Sequence, residues 1–203
     1  METNAEVRTV WIVDGGYMIK STPERVDYCR LKDELERLNG GEIFESYFLD
    51  SVANPPSENQ EHFLTRLKLA PPEGPKMRVQ TYALKNMHVH CPQCDTHFDR
   101  HVQKGVDVGI ATLMLKMAFR DLYDRVILCA GDGDFEDAIS YIKSELHKEI
   151  WIAGFNGSVS ADLQSYADQV IWLDEWWENI RRSSSNGSRT DMSENRRPEK
   201  VRA

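Results

Sequence analysis

Short apolar runs alternate with stretches of helical period along most of this chain, and no other feature constrains its fold as much. Residues 10–13, 43–49, 78–84, 125–130, 149–153 and 169–173 read as strands, being short and rich in β-branched and aromatic residues. Between the first two, 24–38 places Val26, Leu31, Leu35 and Leu38 at helical spacing and stops at Asn39-Gly40-Gly41. Residues 57–69, 104–120, 134–146 and 160–167 read as further helices, with Met114 and Met117 facing a core, and a Trp-rich helix follows at 174–182. Strands separated by helices imply right-handed crossovers and an α/β fold, with a mostly parallel sheet covered on both faces. Ligands of such sheets sit beyond the carboxyl ends of the strands.

The 203 residues are enough for one sizeable core, and a single domain is expected over 1–182. From Ser183 onward the chain has almost nothing apolar to bury, so 183–203 reads as a disordered tail. A formal net charge of -8 argues against a general nucleic-acid coat protein, which needs a basic footprint. It leaves open an enzyme that meets a polyanion through metal ions. The first residues lack the layout of a signal peptide, and no apolar run approaches the roughly 20 residues of a membrane helix. No membrane partner is therefore expected. Four cysteines in a chain of this length do not make a disulfide framework, and a reducing cytoplasm is the simplest setting.

Two of the strands run into Asp next to Gly. The first ends at Asp14-Gly15-Gly16, and the fourth at Gly131-Asp132-Gly133-Asp134. If those strands are neighbours, Asp14, Asp132 and Asp134 meet at one edge, and Asp107, in the first turn of the 104–120 helix, can face it. Crowded carboxylates repel one another, and a hard divalent cation relieves that cost. Oxygen-only ligands select Mg²⁺ or Mn²⁺, which accept phosphate oxygens and activate water. Each acid also has a local role open to it: helix N-cap for Asp134, turn residue for Asp14, dipole partner for Asp107.

The segments VWIVDGGY, KGVDVGIATLMLKMA, RVILCAGDGDFEDAISYI and SADLQSYADQVIWL resemble, in order, those of NYN domains, the LabA-like branch above all. The resemblance covers about 7–174 and implies a fold of the PIN-like superfamily of metal-dependent ribonucleases. It implies an α/β/α sandwich with strand order 3-2-1-4-5. It also implies Mg²⁺ or Mn²⁺ held by Asp14, Asp107, Asp132 and Asp134, and RNA as the partner, its phosphodiester hydrolysed by metal-activated water. Asp14 and Asp132 are the best candidates for direct ligands. Lys104 and Arg100 are candidates for phosphate contact. Tyr17 stands where many members have Asn; it can stack on a base or pack. Asp168 matches a late acidic position, with a place at the acidic edge or a turn role. His147-Lys148 stands where a Gly-Lys often precedes the fifth strand.

A second cluster lies in 85–103, polar, rich in His and Cys, and a loop by composition. Cys91-Pro92-Gln93-Cys94 lets two thiolates reach one Zn²⁺, and His97 and His101 can complete a tetrahedron, with His88 or His90 as substitutes. The alternatives are a metal-free loop, a redox-sensitive dithiol, or a zinc bridge between two chains. Trp172, Trp176 and Trp177 read as packing on the sheet, as a homodimer contact, or more weakly as a nucleic-acid stack. The leading function is a metal-dependent endoribonuclease. Its rival is an RNA-binding or regulatory protein that keeps the fold but cuts little or nothing. A haloacid-dehalogenase phosphatase is disfavoured, because its second Asp falls on Gly16.

Overall fold

A computed structural model describes residues 7–182 except Pro23, Cys91, Gln103 and Lys104. In the segment 85–102 its side chains are described only for His90 and for 92–97. The tail expected from Ser183, Cys91 and Lys104 thus lie outside the described residues.

Six strands form one sheet: β1 (Thr9–Asp14), β2 (Ile43–Val52), β3 (Arg78–Ala83), β6 (Arg125–Cys129), β7 (Glu149–Gly154) and β8 (Gln169–Trp172). Their order is β3-β2-β1-β6-β7-β8 and every pairing is parallel. This is the expected order 3-2-1-4-5, with the sixth strand added at the outer edge. The chain runs outward from β1 to β3, returns to β6, and then runs outward the other way. The reversal lies between β1 and β6, so the crevice above their carboxyl ends is where such a sheet takes a ligand.

Alternation along the strands divides the core in two. Val10, Ile12, Leu49, Val126, Leu128 and Ile152 point to one face, covered by α4 (Val106–Phe119), α5 (Glu136–Ser144) and α6 (Ala161–Tyr166). Trp11, Val13, Phe48, Ile127 and Ala153 point to the other, covered by α1 (Gly15–Ser21), α2 (Tyr28–Asn39), α3 (Glu58–Lys68) and α7 (Trp177–Ile180). All six residues of β1 are buried, as the centre of a sheet covered twice requires. Met114 and Met117 are buried on α4, as expected. Trp176 and Trp177 pack on the second face, where Trp177 meets Phe155 edge-on at 5.7 Å.

Two elements differ from the sequence reading. Gly15-Gly16 begins α1 rather than a loop, because the Asp14 carboxylate caps it by accepting from the Tyr17 N–H at 3.1 Å. A Cβ on Gly15 would stand 2.6 Å from the Phe48 ring, so only glycine lets the helix lie this close to β2. The segment read as a loop is an antiparallel hairpin, β4 (Lys85–His90) with β5 (His97–Val102), separate from the main sheet.

Candidate metal-binding acidic site

β1 and β6 are adjacent and in register from Thr9–Arg125 to Val13–Cys129, so their carboxyl ends deliver Asp14 and Asp132 to the same rim. Asp14 is the last residue of β1 and is buried. Asp132 follows β6 and is exposed, as is Asp134. Asp132 accepts from the Asp134 N–H at 3.2 Å and so caps a single 3₁₀ turn ahead of α5. The capping role open to Asp134 thus falls to Asp132. Asp107 sits in the first turn of α4, whose N-cap is Gly105 with no side-chain bond to offer.

Asp107 lies near enough to Asp14, Asp132 and Asp134 for its charge and theirs to act on one another. Burial, and then the Asp107 charge, raise Asp14 above the ordinary carboxylate value. Burial, and then Asp132 and Asp134, raise Asp107. Lys20, one turn into α1, counters Asp14 and Asp107 but does not cancel the excess. The donors are all oxygens, and among the described residues negative charge is in excess, which fits a hard divalent cation. The spacing is open: among the described residues no three of these acids bring their oxygens within 4.8 Å of one another. Mg²⁺, which keeps several waters, suits such an open set.

Sequence reasoning missed a fifth acid. Asp50, near the end of β2, is 4% exposed, accepts from the Ser51 N–H at 2.7 Å, and is pushed up to about 6 by burial and then by Asp14. It sits inside the apolar run YFLDS, and only its place at the carboxyl end of a strand beside β1 could have signalled it. Asp162 was missed too: its Oδ2 lies 3.7 Å from where a Gly133 Cβ would stand, with the Ser160 Oγ at 3.6 Å. Ser160 is the N-cap of α6, accepting from the Leu163 N–H at 3.2 Å.

Of two other candidates, Asp168 stands apart from the rim and Tyr17 packs beside it. Asp168 accepts from the Ile150 N–H at 2.8 Å and pairs with Lys143 at 2.7 Å. Ile150 lies at the start of β7, so Asp168 belongs to the opposite edge of the sheet and does not join the acidic cluster. Tyr17 is half-buried; its hydroxyl bonds Ser158 Oγ at 2.6 Å and receives the Phe155 N–H at 3.0 Å. That is the placement of a packing residue. The Arg100 backbone pairs with Met87 in the hairpin, and its side chain is not described.

From Asp134 a groove runs between α4 and α5, lined by Ala111, Leu115, Phe119, Ala138 and Tyr141. Phe119 and Tyr141 are 62% and 43% exposed, with ring centres 5.7 Å apart. No described helix is long and apolar enough to cross a membrane.

Comparison with known proteins agrees with this fold. The chain is 28% identical over 98 residues to the low amplitude and bright protein LabA of Synechococcus elongatus, a match covering 48% of each chain, so the matched region is about half of that relative. A crystal structure of a Vibrio parahaemolyticus protein of unknown function, VPA0982, superposes over 89% of this chain and 99% of its own, with a TM-score of 0.63 at 19% identity, and so shares the fold. The NYN domain model matches residues 9–174, from the first residue of β1 to just past β8. On that match the chain belongs to the NYN domain family, a family of PIN-like nucleases.

Proposed function

We propose that this chain is a metal-dependent endoribonuclease that hydrolyses RNA phosphodiester bonds at the rim formed by Asp14, Asp107, Asp132 and Asp134. The observation that carries the reading is the set of neighbouring carboxylates, Asp14 buried and the other three exposed, at the reversal point of an NYN-family sheet. Asp14 and Asp132 would hold Mg²⁺ or Mn²⁺ directly, with Asp107 and Asp134 as direct or water-linked partners. Such an ion, when bound, supplies a hydroxide-like nucleophile and a counter-charge for the leaving oxygen. The chain's own residues orient the phosphate. α1 and the 3₁₀ turn fix the Asp14 and Asp132 carboxylates by backbone bonds, so their geometry is set before substrate arrives. Phe119 and Tyr141 offer exposed ring faces to an adjacent base.

A second reading, RNA binding without cleavage, is favoured by the open spacing of the four acids. One experiment decides. Labelled single-stranded and structured RNAs are incubated with wild type and Asp132→Asn in Mn²⁺, Mg²⁺ or EDTA. Cleavage that needs metal and disappears in the variant supports the nuclease. Binding with no cleavage in either metal supports the second reading.

A further inference from the structure

The hairpin brings together three metal-binding side chains that have no part in the acidic rim. His90 ends β4 and His97 begins β5, directly opposite each other. Their rings stack at 4.6 Å. Asp95 lies between them in the turn, in the left-handed conformation at φ 53, and its Oδ1 is 2.6 Å from His90 Nε2. One donor atom from each of His90, Asp95 and His97 falls within a span of 4.8 Å. All three side chains are exposed, so an ion can reach them. Donors bound to one tetrahedral ion at about 2.0–2.3 Å stand somewhat closer than this span, within reach of small side-chain rotations. Cys94, also exposed, immediately precedes Asp95; its Sγ lies outside that 4.8 Å group, so it joins the ion only by rotation of its side chain.

We propose that the hairpin tip is a transition-metal site, zinc by its chemistry, with His90, His97, Asp95 and the thiolate of Cys94 as ligands. Imidazole with thiolate selects zinc over Mg²⁺ or Mn²⁺, so this site and the acidic rim draw different ions. Binding displaces the thiol proton of Cys94 to solvent. The register corrects the ligand set expected from sequence. His101 pairs across from Asn86, at the far end of the hairpin. It lies four residues, about 13 Å, along the strand from His97, too far to share an ion with a turn cysteine. His90, across the ladder, takes its place. The ion closes a short polar hairpin whose second strand leads toward α4 and Asp107.

The test uses the full chain, stripped with chelator and titrated with Co²⁺ and then Zn²⁺, in wild type and in the Asp132→Asn background. The expected result is one Co²⁺ per chain in both, with the visible bands of tetrahedral cobalt and a thiolate-to-cobalt band, all displaced by Zn²⁺. Cys94→Ser removes the thiolate band. His90→Ala and His97→Ala each weaken binding by more than the roughly 10- to 100-fold typical of a lost outer-shell partner. His101→Ala changes nothing. An octahedral spectrum without a thiolate band in wild type overturns the proposal without need of any variant. Loss of the tetrahedral site in His101→Ala, with retention in His90→Ala, overturns it in favour of the sequence-derived set.

Discussion

The Tyr17 hydroxyl lies 2.6 Å from Ser158 Oγ and ties the first helix to the loop between β7 and α6. The same oxygen receives the Phe155 N–H, and the ring lies where any side chain on Gly131 would have to go. Tyr17 thus braces both ends of the rim: its own N–H donates to the capping carboxylate of Asp14, and its ring packs against Gly131 in the turn into Asp132. Tyr17→Phe leaves the Phe155 N–H without its acceptor and is expected to cost about 1–3 kcal/mol. In a chain of this size each kcal/mol lowers Tm by roughly 2–4 °C. Thermal denaturation of the variant checks this; an unchanged Tm would show that the hydroxyl bonds contribute nothing net.

Asp50 gives the metal-free protein a pH dependence of definite sign. Its carboxyl is pushed up to about 6 in the fold, against about 3.9 in an unfolded chain. The folded state therefore holds the proton more tightly. The contribution is fully favourable below about pH 4 and is lost as pH rises through about 6, a change on the order of 3 kcal/mol. In chelator, Asp50→Asn is expected to be more stable than wild type at neutral pH, with the difference vanishing below about pH 4. Paired denaturant titrations across that range measure it. A constant difference would mean that Asp50 is ionised throughout.

Gly109 and Tyr82 fix where α4 starts. A Cβ on Gly109 would lie 2.0 Å from the Tyr82 hydroxyl and 2.6 Å from its ring carbon. Gly109→Ala must displace the ring or the first turn of the helix, and that turn carries Asp107. Overpacking of this kind costs about 1–3 kcal/mol. Adding Tyr82→Ala empties the contested space, so the double variant should be more stable than the two single losses added together. A coupling energy of about 1 kcal/mol or more is expected from the double-mutant cycle. Strict additivity would place the strain elsewhere.

If the proposed function holds, the exposed pair Phe119 and Tyr141 contributes to holding RNA. Stacking of a base on an aromatic ring contributes about 1–3 kcal/mol, so Phe119→Ala with Tyr141→Ala should weaken RNA binding by roughly tenfold or more. Neither residue holds an acid in place. The rate at saturating RNA should therefore stay near wild type while KM rises. A fall in kcat with KM unchanged would remove the groove from the binding path.

The legibility of this fold follows burial. Strands such as 10–13 and 125–130 are buried on both faces and announce themselves as apolar runs ending in Asp and Gly. Asp14 and Asp132 were readable for the same reason. The hairpin was not: it is a polar, two-stranded ribbon outside the main sheet, so no packed sheet face writes a period of two into its sequence. Helix α1 was hidden behind two glycines that look like breakers but serve a close approach to Phe48. Asp50 was hidden by its apolar neighbours. Asp168 had both a rim place and a turn role open to it, because sequence order does not tell which end of a strand a loop residue reaches; the bond to Ile150 at the start of β7 places it away from the rim.

His147 marks a local conflict that a substitution should relieve. It follows α5 and adopts the left-handed conformation at φ 53, in the turn where Lys148 N–H reaches back to the Ile142 carbonyl. Left-handed backbone costs an L side chain roughly 1–2 kcal/mol, whereas glycine adopts it freely. The side chain is exposed, so removing it sacrifices little packing. Part of the gain is offset because glycine loses more entropy on folding. The net expectation for His147→Gly is a stabilisation of about 0.5–1 kcal/mol, seen as a rise in Tm of roughly 1–4 °C with cleavage unchanged. His147→Ala separates the two causes: it removes the same ring but keeps the Cβ, so it should recover none of the gain. If alanine stabilised as much as glycine, the conflict would lie in the imidazole rather than in the backbone.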